Sequence, residues 1–203
     1  MERHEQARLF KEKAEAVQTS VTDVTGLQQA FLYAIEITKN QGGSTIAAPA
    51  LGPEERSQLA ELCRQAEITL LTDSLRDHIG KIHTGFTLGD WGIAETATLV
   101  LDSSSEDVRI ATMLSETHVA VLPGSRIRAD AMELESELGE MMKSAPRYLA
   151  FISGASRTAD IERVLTIGVH GPQELHLLVL DEGREQSSPV HDVQKAKRKP
   201  RRR

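Results

Sequence analysis

One carboxylate interrupts an otherwise apolar stretch, IAETATLVLD (93–102). The stretch predicts a β-strand, in which alternate residues share a face, so that Glu95 lies on the same side as Ile93 and Leu99. Because an unpaired buried carboxylate is costly, Glu95 then requires a partner or a ligand, and we interpret it as a candidate catalytic acid or base. The alternative is that Glu95 lies at the end of the strand and reaches solvent, or caps the preceding turn.

A glycine-rich segment precedes this strand, with glycines at positions 80, 85, 89 and 92. Such spacing predicts turns around short extended pieces and allows a substrate to approach the backbone closely. Asp90 in this segment has the residue type of a turn. We include it among the candidate substrate-binding residues, together with Thr96 beside Glu95.

A second candidate site is the segment ISGASRTADIERVL (152–165), which predicts an apolar strand, a turn of small residues and a helix. The first backbone N–H groups of a helix bind anions, and Arg157 in the turn adds a guanidinium suited to a carboxylate or phosphate. The candidate ligand-binding residues of this junction are Gly154, Ser156, Arg157, Thr158 and Asp160. The alternative is purely local, with Ser156 or Thr158 as the helix N-cap and Arg157 paired with Asp160.

A third candidate is His170 in the loop Gly168–Pro172, where it stands between glycines. A histidine in such a loop serves as a general acid or base or orients a ligand, and Gly171 is a neighbouring ligand-binding position. A histidine in an ordinary surface turn is the equal alternative. No histidine and glutamate show the spacing of metal ligands, and we predict no metal site.

The rest of the chain alternates between short apolar strands and amphipathic helices. The predicted helices are 2–18, 27–35, one starting at Pro53, 108–114, 129–143 and 158–165. The predicted strands are 44–50, 67–72, 93–102, 118–123, 147–153 and 174–181, with a break at 19–25. This alternation predicts an α/β fold with a mostly parallel sheet flanked by helices. The near-continuous apolar run 174–181 is typical of a strand buried on both faces.

Composition limits the classes of protein to which the chain belongs. Its 203 residues, 39% of them hydrophobic, fit one domain with a short extension at each end. Seven of the last nine residues are Lys or Arg while the net charge is −6, so the rest of the chain is acidic, which argues against a folded nucleic-acid-binding surface. We interpret the tail as solvated and disordered; contacts with nucleic acid, an acidic partner or the body of the protein remain the alternatives.

The only cysteine, Cys63, falls at helical spacing with Leu59 and Leu62 and predicts a small core residue rather than a catalytic thiol. One cysteine holds neither an internal disulfide nor an iron–sulfur cluster, so any redox cofactor must belong to another protein. The charged N-terminus lacks the apolar stretch of a secretory signal, and no run of about 18 apolar residues occurs. We therefore expect a cytoplasmic location without a membrane span.

Three segments together resemble the lactate-utilization (LUD) domain family: TLGDWGIAETATLVL, THVAVLP and ISGASRTADIERVLTIGVHGPQELHLLVLDE. The resemblance covers roughly residues 20–182, with a variable N-terminal helix at 1–19 and a linker and basic tail at 183–203 outside it. Ala97 stands where the family usually has glycine, and Ala155 stands where proline is common.

The resemblance implies a fold similar to the NagB/RpiA/CoA-transferase-like group, with small-molecule sites at strand ends. It also implies an L-lactate oxidation system that yields pyruvate, in which partner subunits carry the iron–sulfur clusters. This chain resembles the short, cluster-free subunit, and we expect it to bind a small carboxylate. Two alternatives stay open: a free-standing enzyme acting on a phosphorylated or CoA-linked metabolite, and a regulatory or interaction protein.

Overall fold

The structure is a computed structural model that describes residues 3–143, 147–158, 166–167 and 171–182. The described helices are α1 (Arg3–Ala16), α2 (Leu27–Asn40), α3 (Pro53–Gln65), α4 (Glu106–Met113) and α5 (Glu135–Met142). The described strands are β1 (Ser20–Val24), β2 (Thr45–Ala47), β3 (Thr69–Leu71), β4 (Thr84–Leu88), β5 (Trp91–Ile93), β6 (Thr98–Asp102), β7 (Thr117–Pro123), β8 (Ile127–Arg128), β9 (Leu149–Ile152), β10 (Arg157–Thr158), β11 (Thr166–Ile167) and β12 (Glu174–Leu180).

Six strands form one parallel sheet in the order β1-β12-β7-β4-β2-β3. The predicted α/β class with a parallel sheet and flanking helices is confirmed. Strand β12 lies between β1 and β7, and its residues from Leu175 to Val179 are buried, as the apolar run predicts. All six strands point the same way, so their carboxyl ends share one edge of the sheet and their amino ends share the other.

One face of this sheet is covered by α2 and α3. The buried side of α2 carries Ala30, Phe31, Ala34 and Ile35, the residues whose spacing predicts an amphipathic helix. Helix α3 begins at Pro53 after Gly52, where proline and the following acids favour a helix start. Cys63 packs in this core at 1% exposure, so the prediction of a buried structural thiol is confirmed.

A second sheet of four strands, in the order β8-β5-β6-β9, faces the opposite side of the main sheet. The core between the two sheets contains Leu99 and Leu101 of β6 together with Leu122 of β7 and Leu177 of β12. Helix α1 contributes Phe10, which is fully buried in the same core. This core therefore joins α1 and both sheets. No helix among the described residues is long and apolar enough to cross a membrane.

Two strands of the main sheet differ from the sequence prediction. Residues 20–24, predicted as a break, form β1, an edge strand in which only Val24 is buried, so its polar sequence lacks the apolar signal of a strand. Residues 84–88, predicted as part of a turn-rich segment, form β4 in the middle of the sheet. Gly85 is required there because a Cβ atom would lie 2.0 Å from the carbonyl oxygen of Ala111 in α4, so this glycine marks close packing and not a turn.

The predicted long helix at 129–143 is also shorter in the structure. A 3₁₀ turn at Met132–Leu134 precedes α5, and Leu134 is fully buried beneath it. The predicted helix 158–165 lies outside the described residues except for Thr158, which belongs to the short strand β10. The linker and tail predicted at 183–203 lie outside the described residues as well.

Candidate functional site

Glu95 lies at the tip of a β-hairpin. Strands β5 and β6 pair antiparallel, and residues 94–97 form the turn between them. Ala97 in this turn has φ +49°, a left-handed conformation that ends the strand. Glu95 and Thr96 are exposed, so the prediction of one strand with Glu95 on a buried apolar face is wrong, and the alternative of a carboxylate that reaches solvent at the strand end is correct.

Hydroxyl groups connect this hairpin tip to the end of β9. The Oγ1 atoms of Thr96 and Thr98 lie 2.6 Å apart, and Oγ1 of Thr98 lies 2.6 Å from Oγ of Ser153. These hydroxyl contacts form because β9 pairs antiparallel with β6. Leu99 lies opposite Ile152, so Ser153 lies beside Thr98. The structure thus brings together the two segments that were singled out separately in the sequence.

The turn after β9 is held by backbone contacts on two sides. Gly154 has φ +84° and packs against Val17, whose carbonyl oxygen would lie 3.3 Å from a Cβ atom at position 154. The backbone N–H of Ser156 donates to the carbonyl oxygen of Pro172 at 2.9 Å. Gly171, with φ +95°, lies against the Ser156 side chain. Three predicted ligand-binding residues therefore lie side by side: Gly154, Ser156 and Gly171.

Arg157 is exposed at the end of this turn. Its Nη2 donates to Oε1 of Gln18 at 2.9 Å and its Nη1 donates to the carbonyl oxygen of Ser156 at 3.0 Å. No carboxylate among the described residues forms an ion pair with it. The hydrogen bond to Gln18 orients the guanidinium without neutralising it, which suits the binding of an anion.

The local geometry at Arg157 and Thr158 differs from the prediction in one respect. These two residues are extended and pair antiparallel with Ile167 and Thr166, so they do not form the first turn of a helix. A helix N-terminus at 156–158 is therefore not available for anion binding. Two candidate residues, Asp160 and His170, lie outside the described residues.

Asp90 lies apart from this group. It accepts a hydrogen bond at Oδ2 from the backbone N–H of Asp102, 2.7 Å away, and so closes the open end of the β5–β6 hairpin. Thr98 and Asp102 are at opposite ends of β6, which at roughly 3.3 Å per residue separates them by about 13 Å. Asp90 therefore does not lie at one site with Glu95 and Arg157.

Arg126, a residue that the sequence did not single out, lies near Asp90 instead. Its guanidinium stacks on the Trp91 ring at 5.8 Å from the centroid, and Nη1 donates to the carbonyl oxygen of Asp90 at 3.5 Å. The sequence feature that could have identified Arg126 is its position in Gly124-Ser-Arg126, directly after the apolar strand 118–123. Residues just after parallel strands lie at the ligand-binding edge of open α/β sheets.

Two titratable groups are strongly shifted by burial, and neither belongs to the exposed group around Arg157. Burial raises the pKa of the Cys63 thiol to about 11, which argues against a reactive thiolate. Burial lowers the pKa of His118 to about 4, so this histidine is neutral at pH 7. The described residues contain no group of three or more His, Cys, Asp or Glu side chains that could hold a metal ion.

The group combines the exposed Glu95 and Arg157 with a chain of hydroxyls that includes the buried Thr98. We call it the hairpin–turn site (residues 95, 96, 98, 153, 154, 156, 157 and 171). A guanidinium and hydroxyls bind a small carboxylate that carries its own hydroxyl or carbonyl group. A carboxylate at the tip is the residue type that serves as a general base.

The sequence of this chain matches known proteins. A family model described as the LUD domain matches residues 7–180. The chain is 31% identical over 105 residues to lactate utilization protein C of Macrococcus caseolyticus, a match that covers 50% of this chain and 46% of the relative. It is 33% identical over 100 residues to the protein of the same name from Shouchella clausii, covering 48% and 44%. The chain thus spans about half the length of these curated relatives.

A solved structure supports the fold. A DUF162 family protein from Deinococcus radiodurans superposes with a TM-score of 0.56 at 17% sequence identity, over 89% of this chain and 99% of that chain. At this identity the likeness concerns the arrangement of the chain alone. The match of the family model to most of the sequence decides the classification, and the chain belongs to the LUD domain family.

Proposed function

We propose that this chain acts in lactate utilization, as the component without a redox cofactor in an iron–sulfur-dependent system that oxidises L-lactate to pyruvate. The support is the family membership together with relatives named lactate utilization protein C. In this reaction lactate would lose two protons, one from its hydroxyl and one from Cα, together with two electrons that iron–sulfur clusters on partner subunits would accept.

The residues of this chain do not fit an iron–sulfur cluster of its own. The sequence has one cysteine, and Cys63 is enclosed in the core beneath α3 at 1% exposure. Cluster ligation requires several thiolates at one accessible position. The electron carrier in the proposed system is therefore assigned to partner proteins, and this chain supplies binding and proton transfer.

The single observation that carries the site assignment is the hydroxyl chain from Thr96 through Thr98 to Ser153. It holds the hairpin tip with Glu95 against the turn that ends in Arg157. In this proposal Arg157 pairs with the lactate carboxylate, the hydroxyls contact its O2 oxygen, and Glu95 accepts the hydroxyl proton. His170 stays a predicted second acid or base.

Lactate-dependent dye reduction in extracts of a deletion strain tests this function. Purified protein added back should restore activity, and Glu95→Gln should lower it by about 10²–10⁴-fold because the amide accepts no proton. Glu12→Gln is the matched control, since Glu12 is also exposed, on α1, and it should restore activity fully.

Three results would refute parts of the proposal. Undiminished activity in the deletion extract would remove the chain from lactate oxidation. Full activity of the Glu95→Gln, Arg157→Ala double variant would leave the pathway in place but reject the hairpin–turn site. Equal losses in Glu95→Gln and Glu12→Gln would show that the effect comes from folding or charge and not from proton transfer.

A further inference from the structure

A separate cavity lies at the carboxyl edge of the main sheet. It has a volume of about 40 Å³ and is bounded by Leu88, Pro123 and Leu180, the last residues of three adjacent strands β4, β7 and β12. Leu27, the first residue of α2, also lines it. Open α/β sheets bind ligands at this edge, where the ends of parallel strands leave a crevice.

The walls of this cavity are apolar except at one point. Arg126 is the charged residue among those that line it. A guanidinium beside apolar walls is poorly screened by water, so it attracts an anion more strongly than a fully exposed arginine does. The cavity therefore combines one positive charge with a surface suited to a hydrocarbon group.

Arg126 is held in place without being neutralised. It stacks on one part of the Trp91 ring, and Arg128 lies over the same ring at 4.5 Å. Arg128 donates to Oε1 of Glu137 at 3.2 Å and 3.3 Å, whereas no carboxylate among the described residues pairs with Arg126. Of two arginines on one ring, Arg126 alone keeps its charge available for a ligand.

The size of the cavity limits the ligand. One water molecule requires roughly 10–15 Å³, so the cavity holds on the order of three non-hydrogen atoms. This space takes a methyl or ethyl group, with a carboxylate at the rim against Arg126. A single guanidinium matches a monoanion, and the volume is too small for a phosphorylated sugar or a nucleotide.

We infer that this cavity binds a short-chain monocarboxylate of two to four carbons, with its carboxylate on Arg126 and its alkyl end against Leu27, Leu88 and Leu180. The inference shares the ligand class of the proposed function but not its site. It predicts a second place on the molecule where such an acid binds, about the length of one strand away from the hairpin tip.

Trp91 provides a direct test because it is the single tryptophan of the chain and contacts Arg126. Propionate, L-lactate and pyruvate are titrated at constant ionic strength while tryptophan fluorescence is recorded. A ligand of about six non-hydrogen atoms should give a saturable change with a Kd of roughly 0.1–10 mM. Propionamide, the neutral analogue of propionate, should give none. Broadening of the propionate methyl NMR signal is a second readout that does not depend on Trp91.

Three variants separate this site from the hairpin–turn site. Arg126→Gln should weaken propionate binding at least about tenfold, and Arg126→Lys should weaken it less, because lysine keeps the charge but not the two parallel hydrogen bonds. Arg157→Gln alters the hairpin–turn site, so it should leave the Kd reported by Trp91 fluorescence within about twofold, because Trp91 lies beside Arg126.

No saturable binding up to about 50 mM, or equal binding of propionamide, would overturn the inference. So would a loss of binding in Arg157→Gln that Arg126→Gln does not share. Each of these results concerns isolated protein and is independent of lactate oxidation in the deletion extract, so failure of this inference is distinguishable from failure of the proposed function.

Discussion

At the scale of single residues, Glu95 and His118 show how exposure to solvent affects a titratable side chain. Glu95 lies at an exposed tip, so its carboxylate keeps its hydration and requires no buried partner. His118 is at the other extreme, fully enclosed on β7 with Nε2 2.8 Å from the Thr87 hydroxyl. Its Nδ1 has no hydrogen-bond partner among the described residues. A cationic ring is therefore strongly disfavoured at this position.

We expect His118 to make the stability of the protein depend on pH. Burial lowers its folded-state pKa from 6.5 to about 4, so between these values the unfolded chain binds a proton that the folded chain does not. The free energy of unfolding should fall as the pH drops from about 6.5 to about 4, by about 3 kcal/mol in total from this one group. Urea unfolding at a series of pH values measures this contribution.

The comparison variant is Thr87→Val, His118→Leu, which removes both hydrogen-bonding partners at once and leaves neither one unpaired. Its free energy of unfolding should decline less over the same pH interval than that of the unmodified protein. Identical slopes for the two proteins would show that His118 does not stay neutral in the folded state.

At the scale of elements, the β5–β6 hairpin decides the geometry around Glu95. Its open end is closed by Asp90 on the Asp102 N–H, and its tip is closed by the left-handed residue Ala97. Glycine would adopt this positive φ without a steric cost. The tip keeps the left-handed conformation although alanine occupies it.

We expect Ala97→Gly to change stability by less than about 1 kcal/mol. Relief of the left-handed backbone is worth roughly 1–2 kcal/mol, but loss of the buried methyl costs about 0.8 kcal/mol and the greater freedom of glycine in the unfolded chain costs roughly 0.5–1 kcal/mol. Ala97→Val should destabilise by about 2 kcal/mol or more, since a β-branched side chain is strained at positive φ. Thermal unfolding of both variants checks this, and a neutral valine would contradict the left-handed tip.

At the scale of the whole molecule, the core between the sheets ties the protein together. Phe10 of α1 is fully buried there, and a Cβ atom at Gly92 in β5 would lie 3.2 Å from its ring. The same core contains Leu122 and Leu177 of the main sheet. One aromatic side chain on the first helix thus contributes to a core that both sheets share.

We expect Phe10→Ala to lower the free energy of unfolding by about 3–5 kcal/mol, the usual cost of a large cavity in a core. Trp91 fluorescence reports the second sheet and far-UV circular dichroism reports all elements, and the two unfolding curves should coincide because the sheets share this core. Val17→Ala is the control, since Val17 is 40% exposed and directly follows the same helix. A loss of similar size in the control, or separate transitions for the two sheets, would contradict this account of the core.

The structure brings some of the predicted site residues together and separates others, for reasons that individual residues show. Gly154, Ser156 and Gly171, which belong to two separate candidate segments, are neighbours because the turn after β9 packs against the segment before β12. Asp90 is close to Glu95 in sequence but lies about the length of β6 away, since the hairpin separates residues on either side of its tip. Arg126 lies beside Asp90 only because the second sheet packs against the main sheet.

The sequence by itself determined the α/β class, the buried run 174–181, the start of α3 at Pro53 and the core position of Cys63. These depend on the periodicity of apolar residues and on helix-start residues, which act over a few neighbouring positions. Only the tertiary structure decided that 93–102 contributes to a hairpin and that polar residues 20–24 form an edge strand. It also decided that Glu95 and Arg126 lie near opposite ends of that hairpin. Those outcomes depend on which strands pair, and strand pairing is set by contacts between residues far apart in the chain.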